Sequence, residues 1–541
     1  MNFYDKRSDS AGVAGAKSVE PWQRWAWGLA ALWCLAQTYV GQSFLAFNRL
    51  NDADSSYFIY GGWILRQGQV LYRDFWDQKP PGIFWQNAVL LHGFCRGNFA
   101  AYAMLHGLAV LAACWACARA LVPLLGTGLA LLAACAFAYG FNLNNYQDFG
   151  NRPEFALALL ELAGFFCALR WVRGEGKTKT LAWTGTFSAW AFWFKPVGGV
   201  AAVAAGITIL LRARTLGLRA TLQALGWLVA GVQAGLLPVL LAFAFTGDAL
   251  APIRAAILVP LKLADESAPS HLQALRAMLS AYGPLWGLIW PLAWAPRLLL
   301  GDYLKDREKQ ILRLTVLFLL GSLAGVLIQR RGHPHYYLQG VGPLVFAAFL
   351  TVGYFLQCIR QPLVRIALLL ALLMGAAITG RFPLERQLRY WSWLPRYEAS
   401  LGPCEALAQN LVQRLQPAET VYYWSHGYQP YILMKRFSPG RLSPFLMAHG
   451  PLGAGLVLAD LTRVMAVRPR FVIENLDSQA YPSVFLDGSA LRHPDQLRCL
   501  LTYQGWIAGD YRLIPSPAPG FRVYERRIQE PAAPALAPAA R

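Results

Sequence analysis

The sequence predicts a polytopic α-helical membrane protein with about eleven transmembrane helices, followed by a small α/β domain. Three observations predict this class. Hydrophobic residues make up 56% of the 541 residues and charged residues only 14%, where a soluble domain carries about a quarter. Apolar runs of about 20 residues, long enough to cross a bilayer, recur from Trp25 to residue 381. From Leu384 onward the pattern changes to short β-rich runs separated by helical stretches.

Residues 1–23 are polar and read as a disordered cytoplasmic N-terminus. The first apolar run follows Lys6, Arg7, Lys17 and Arg24 and lacks a small-residue cleavage site, so it reads as a signal anchor. Hydropathy places spans at 24–46, 100–121, 124–141, 154–172, 181–195, 197–212, 222–246, 280–298, 312–329, 337–357 and 365–381. With the N-terminus in the cytoplasm, the basic loops fall on that side. They carry Arg170, Arg173, Lys177 and Lys179; Arg212, Arg214 and Arg219; Arg297, Lys305, Arg307, Lys309 and Arg313; and Arg360 and Arg365. The net charge of +20 therefore points to anionic lipid as the partner and excludes nucleic acid. The same count puts the loops 47–99, 142–153, 247–279 and 330–336 outside, with the Lys195–Pro196 turn and the whole C-terminal region.

The transmembrane domain is expected over 24–383 and the extracytoplasmic α/β domain over 384–529. Strands are expected at Thr420–Trp424, Phe471–Ile473 and Phe521–Tyr524, and helices at Cys404–Leu415 and Ala454–Val464. A Pro/Ala-rich tail at 530–541 reads as disordered. Of nine cysteines, seven lie in or beside apolar runs, where packing accounts for them; Cys114 and Cys117 have redox-motif spacing but no neighbouring His or second pair. Cys404 and Cys499 fall in the C-terminal region, and an oxidising compartment would permit their pairing.

The stretch Asn51–Trp85 carries Asp52, Asp54, Arg66, Arg73, Asp74, Asp77 and Lys79 among many aromatics. Ionisable groups gathered beside a bilayer mark a functional site. Helical spacing of Tyr57, Phe58, Tyr60, Ile64 and Leu65 predicts a helix in the membrane interface, broken at Gly68. A second interfacial helix is expected at Ile83–Phe94, after Pro80–Pro81.

Asp54 fits two roles, a proton acceptor at the outer surface or the cap of the helix that follows. In the next outer loop, FNLNNYQDFGNRPE, Asp148, Arg152 and Glu154 lie on the same side as Asp54. Pro153 suits a first helical turn, and Glu154 sits at its positive end either as a helix-start acid or as a second site carboxylate. Lys79 precedes proline, which holds its backbone extended; it grips a phosphate or snorkels to headgroups. Lys195–Pro196 repeats the arrangement, and Arg330, Arg331, His333, His335 and Tyr336 form a third cationic and aromatic cluster. Three positive clusters outside contravene the charge rule and call for an anionic partner, of which a lipid-linked phosphate is the simplest. No set of His, Cys and acids has the spacing of a closed metal site.

These residues resemble the GT-C glycosyltransferases, which are polytopic and use polyprenyl-phosphate sugars. The nearer likeness is to bacterial relatives of protein O-mannosyltransferases and of the lipid A aminoarabinose transferase. The family's first outer loop opens with a catalytic Asp and carries a Tyr-Arg-Asp…Lys-Pro-Pro segment. Here Asp54 begins DSSYFIYGGWILRQG, followed by LYRDFWDQKPPG, with Ser55 where the family commonly has Glu. Glu154 in NRPEFALALL matches a second family acid, and His335 and Tyr336 in HYYLQGVGPL match a late His-Tyr motif. The resemblance covers most of residues 25–381. It attaches little functional information to the C-terminal domain.

The resemblance implies an inverting transfer of a sugar from polyprenyl (undecaprenyl) phosphate to a hydroxyl of an envelope lipid, glycan or protein. The reaction would lie on the periplasmic face of a bacterial inner membrane and need neither cofactor nor metal. Asp54 and Glu154 are the implied catalytic acids. Lys79, Lys195, Arg330, Arg331, His335 and Tyr336 would hold the lipid phosphate, and Asp52, Tyr57, Asp148 and Arg152 would contact acceptor or sugar. All are expected to converge on one pocket, with the 247–279 loop closing over the lipid. The alternative is a transporter or flippase for lipid-linked or anionic substrates. Transporters place ionisable groups near the midplane and often show repeats, whereas here the charges gather at one face and no repeat is visible.

Overall fold

The computed structural model describes residues 21–47, 53–143, 151–263, 270–330, 333–359, 361–363, 402–476, 488–489, 491 and 493–527. The expected span at 365–381, the expected disorder at 530–541 and over the first twenty residues of 1–23, and the domain boundary at 383/384 lie outside these residues; Pro21, Trp22 and Gln23, expected to be disordered, instead open the first helix.

Long helices make up the membrane layer: α1 (Pro21–Phe47), α4 (Phe99–Leu125), α5 (Thr127–Phe141), α6 (Pro153–Val172), α7 (Thr180–Phe194), α8 (Val200–Leu211), α9 (Leu218–Phe245), α11 (Asp306–Ile328) and α12 (Leu338–Cys358). Among the described residues, five are long and apolar enough to cross a membrane: α4, α6, α9, α11 and the stretch ending in α12. The protein is a multi-pass membrane protein. Small residues let its helices approach closely where lipid offers no hydrophobic drive. A Cβ on Gly231 of α9 would collide with the Ala182 carbonyl of α7. The same seam is closed by Thr186 Oγ1 donating to the Gly231 carbonyl at 3.1 Å and Trp193 Nε1 donating to that of Gly235 at 3.3 Å.

The segment 280–298 is not one regular α-helix. After α10 (His271–Ala281) the chain runs through a 3₁₀ turn at Gly283–Leu285, a helical turn at Trp286–Ile289, a 3₁₀ turn at Trp290–Trp294 and a short helix at Ala295–Leu300. Pro291 and Pro296 each remove a helix donor and crowd the preceding turn, so hydropathy alone overestimates this helix. The 247–279 loop is largely helical, over Ala251–Leu263 and α10, and Ala255 packs with the loop between the first two long helices.

That first loop folds back on itself. Helix α2 (Ala53–Arg66) is followed by an extended turn and then α3 (Gly82–Gln86), which continues as a π-helix through Phe94. Residues 55–62 of α2 are buried throughout. Gly61 and Gly62 allow this, since a Cβ on Gly61 would run into the Phe84 ring and one on Gly62 into Asn87.

The C-terminal layer is a four-stranded sheet: β1 (Val421–Trp424), β2 (Phe471–Asn475), β3 (Tyr511–Ile514) and β4 (Phe521–Arg526), in the order β1-β2-β4-β3. β1 runs parallel to β2 and the other pairs are antiparallel. Its helices are α13 (402–414), α14 (Gln429–Met434), α15 (Pro451–Val467) and α16 (Pro494–Asp510). Alternation along β1 serves both faces. Tyr422 and Trp424 pack on α15 and α16, with the Trp424 ring stacked 3.9 Å from Tyr503. Val421 and Tyr423 share a core with α13 and, through Tyr428 and Tyr431, with Tyr57, Phe58, Tyr60 and Phe75 of the first loop, so one apolar core joins the two layers. Cys404 and Cys499 are buried, unbonded, and lie toward opposite faces of this sheet, which rules out their pairing.

Candidate active site

Asp54 stands in the first turn of α2. Its Oδ2 pairs with Arg152 Nη1, and its Oδ1 lies 3.2 Å from His426 Nε2. The neighbours of Asp54 hold it in register. Ser55 Oγ accepts from the Asn151 amide and Ser56 Oγ from the Tyr428 amide, both at 3.0 Å. Asn151 in turn donates to Asn87 Oδ1 at 2.6 Å and accepts from Tyr102 at 3.1 Å, which fixes the start of α6 where Arg152 sits. Burial alone would push the Asp54 carboxyl up, but Arg152, His426 and Lys79 outweigh it and hold it well below the usual carboxylate range.

The Lys-Pro-Pro turn is tied down by its own backbone. Tyr57 donates to the Trp76 carbonyl at 2.6 Å, Tyr72 to that of Lys79 at 2.7 Å, and the Lys79 amide donates to Asp77 Oδ1 at 3.3 Å. Lys79 Nζ lies 5.9 Å above the Phe58 ring. Burial opposes its charge, yet Asp77, Tyr336, Asp54 and Glu154 lie near enough to raise its pKa above the ordinary lysine value. Burial of Asp77 outweighs the pull of Lys79 and raises the carboxyl above its ordinary value.

A second cluster lies deeper. Glu154, in the first turn of α6, accepts from Lys195 Nζ at 2.5 Å, and both side chains are buried. Lys195 Nζ also lies 3.2 Å from the centroid of the Tyr336 ring. His335 is buried, lies with its ring tilted 4.6 Å from that of Tyr336, and is close enough to act on the Glu154 charge. Seven residues along the same helix, Glu161 accepts the first amides of α8: Gly199, Val200 at 3.0 Å and Ala201 at 2.6 Å. This anchors the turn that carries Lys195.

Of the sequence candidates, Asp54, Tyr57 and Lys79 come together at one cleft, with Arg152 paired to Asp54, and Glu154, Lys195, His335 and Tyr336 in the deeper cluster, with Lys79 within electrostatic reach of both. The expected single pocket is thus two adjoining groups. The cleft is lined by Asp54, Tyr57, Phe58, Trp76, Asp77, Gln78, Lys79, His426, Leu442, Ser443, Phe445, Leu446 and His449. Neither Glu154 nor Lys195 lines it, because the ion pair draws both side chains into the helix packing. Arg330 is absent from that lining too; it follows α11 in the left-handed backbone region, half-buried. Asp52, Asp148 and Arg331 lie outside the described residues.

The C-terminal domain contributes six lining residues, so its expected lack of functional content needs correction. His426 follows the end of β1, and Gly427, at φ +105°, turns the chain so that the Tyr428 amide meets Ser56. Asp460 of α15 accepts from the Arg441 amide at 2.8 Å and that of Leu442 at 3.0 Å. The Arg441 carbonyl then accepts from Trp76 at 2.9 Å. The 3₁₀ turn Pro444–His449 presents Phe445 and His449. A histidine just past the carboxyl end of a parallel strand is the one signal that would have pointed there.

No family model matches the sequence, and no curated protein matches it. Among solved structures, the crystal structure of ArnT from Cupriavidus metallidurans in the apo state aligns with a TM-score of 0.57 at 14% identity, covering 92% of this chain and 98% of that one. The same protein bound to undecaprenyl phosphate aligns with a TM-score of 0.55, again at 14% identity and with the same coverage. The archaeal oligosaccharyltransferase AglB from Archaeoglobus fulgidus aligns at 0.48 and 10% identity, over 86% of this chain and 70% of that one. The chain thus shares the fold of ArnT, in keeping with the fold that the first-loop residues led one to expect.

Proposed function

We propose that the protein is an inverting glycosyltransferase that moves a sugar from a polyprenyl phosphate to a hydroxyl of an envelope acceptor, on the periplasmic face of a bacterial inner membrane. The observation that carries this reading is the grouping of Asp54 and Lys79 in one cleft, with Arg152 paired to Asp54 and the Glu154–Lys195–Tyr336 cluster beside it. The fold shared with ArnT supports it, and that protein has been solved with undecaprenyl phosphate bound.

In this reaction the acceptor oxygen bonds to the anomeric carbon as the bond from that carbon to the phosphate oxygen breaks. The electron pair leaves with the lipid phosphate, and the hydroxyl proton passes to Asp54. A carboxylate held as low as Asp54 is a weak base toward a neutral hydroxyl. It suffices here, because the attacking oxygen becomes strongly acidic once its new bond is well formed. Asp54 therefore orients the hydroxyl first and takes its proton late. Lys79, charged and rigidly mounted, receives the charge that builds on the leaving phosphate. Lys195 is engaged with Glu154, and the pair sets the field beneath that phosphate, with His335 and Tyr336 beside it.

Asp54→Asn tests the reading in detergent, where transport cannot be scored. Sugar transfer from a polyprenyl-phosphate sugar should fall by about a thousandfold or more, the range of a lost general base. Transfer at the wild-type rate would remove Asp54 from the reaction and leave the transport reading standing.

A further inference from the structure

We propose that the C-terminal domain supplies a positioning residue to the reaction: His426 holds Asp54 in place across the domain boundary, so that transfer depends on that domain being docked. The inference rests on the glycosyltransferase reading and adds a group that lies outside the membrane layer.

Four observations carry it. His426 Nε2 is 3.2 Å from Asp54 Oδ1, opposite the oxygen that Arg152 holds. A carboxylate gripped at both oxygens has its plane fixed, and each oxygen keeps a further lone pair for an incoming hydroxyl. The imidazole is itself held, stacked 4.0 Å from the Phe445 ring at 19°. Next to it, Ser56 and Tyr60 of α2 accept the amides of Tyr428 and Ser438 at 3.0 and 2.8 Å, so the strand end carrying His426 is fastened to the helix carrying Asp54. Finally, His426, Ser443, Phe445 and His449 line the same cleft as Asp54 and Lys79, so an acceptor entering there meets both layers at once.

The two features of the ring separate by substitution. His426→Phe keeps the stack on Phe445 and removes the N–H donor. His426→Gln keeps an N–H donor at similar reach and removes the stack. A hydrogen bond to a charged group accounts for about a ten- to hundredfold effect. H426F should lose that much in kcat while KM for the polyprenyl-phosphate sugar stays within about twofold, because the donor phosphate lies on the Lys79 side. H426Q should recover most of the loss. A purely structural role predicts the reverse order, with the stacked phenylalanine active and the glutamine impaired. Should H426F fail to fold, His426→Asn replaces it, since its amide is one methylene too short to reach the carboxylate. Activity of H426N at least about tenfold below H426Q supports the proposal, and equal activity overturns it. H426F with wild-type kcat beside an inactive Asp54→Asn would overturn this inference alone. An active Asp54→Asn would instead sink the function on which it rests.

Discussion

Asp54 is defined by what grips it. A half-buried carboxyl near the membrane would ordinarily be pushed toward protonation, and here Arg152, His426 and Lys79 reverse that. The charge is therefore present through neutral pH and is lost only when pH falls well below the usual carboxylate range. The wild-type protein should show no acid limb of kcat/KM arising from Asp54 near pH 4. Arg152→Ala removes the foremost influence lowering this pKa and leaves the desolvation in place. The pKa then rises, and because the reactive form is the ionised one, activity falls as pH drops through the new value. An acid limb should therefore appear at higher pH than in the wild-type protein, and the pH dependence of kcat/KM measures it. If Arg152→Ala loses activity equally at every pH, Arg152 acts on the substrate and not through Asp54.

At the scale of elements, helix α6 carries the deeper cluster. Glu154 and Glu161 lie seven residues apart, about two turns, and so share one face. The first meets Lys195 and the second meets the amides that open α8. The sequence made Glu154 legible, because proline before it marked a helix start. Glu161 went unread, since a single acid within an apolar span carries no local signal of what it caps. Nor could hydropathy see that Pro291 and Pro296 break the 280–298 segment, because it scores transfer to lipid and ignores missing donors. Glu161→Ala strips an acceptor from three amides at the start of α8 in surroundings where water is scarce. A loss of roughly 2–4 kcal/mol of stability is expected, read as a lower unfolding midpoint in detergent. Glu161→Gln keeps an oxygen acceptor and should lose less. Activity should fall with the midpoint, since the anchored turn aims Lys195.

At the scale of the whole molecule, the cleft belongs to neither layer alone. Its inner wall was readable from the chain because Asp54 through Lys79 are contiguous and their turn chemistry is local. The wall made by His426, Phe445 and His449 was not, for it depends on a contact between residues 372 apart in sequence, Ser56 and Tyr428. Composition identified the sheet and three of its four strands, while β3, with Arg512 and Leu513 exposed, lacked the apolar run that marks the others. The docking surface makes its own prediction. Ser56→Ala and Tyr60→Phe with Tyr60→Ala as its stronger form weaken the grip on the Tyr428 and Ser438 amides, at about 1–3 kcal/mol for each amide left unsatisfied. If docking matters to transfer only because it delivers His426 to Asp54, combining Ser56→Ala and Tyr60→Ala with His426→Phe should reduce kcat little beyond His426→Phe alone. Fully multiplicative losses would mean that the domain acts through a separate contact, such as Phe445 or His449 on the acceptor. A double-mutant cycle on kcat, with unfolding midpoints measured in parallel, distinguishes the two. The prediction is coupling, because the amides that fasten the domain and the imidazole that meets Asp54 stand within a dozen residues of one another on the same edge of the sheet.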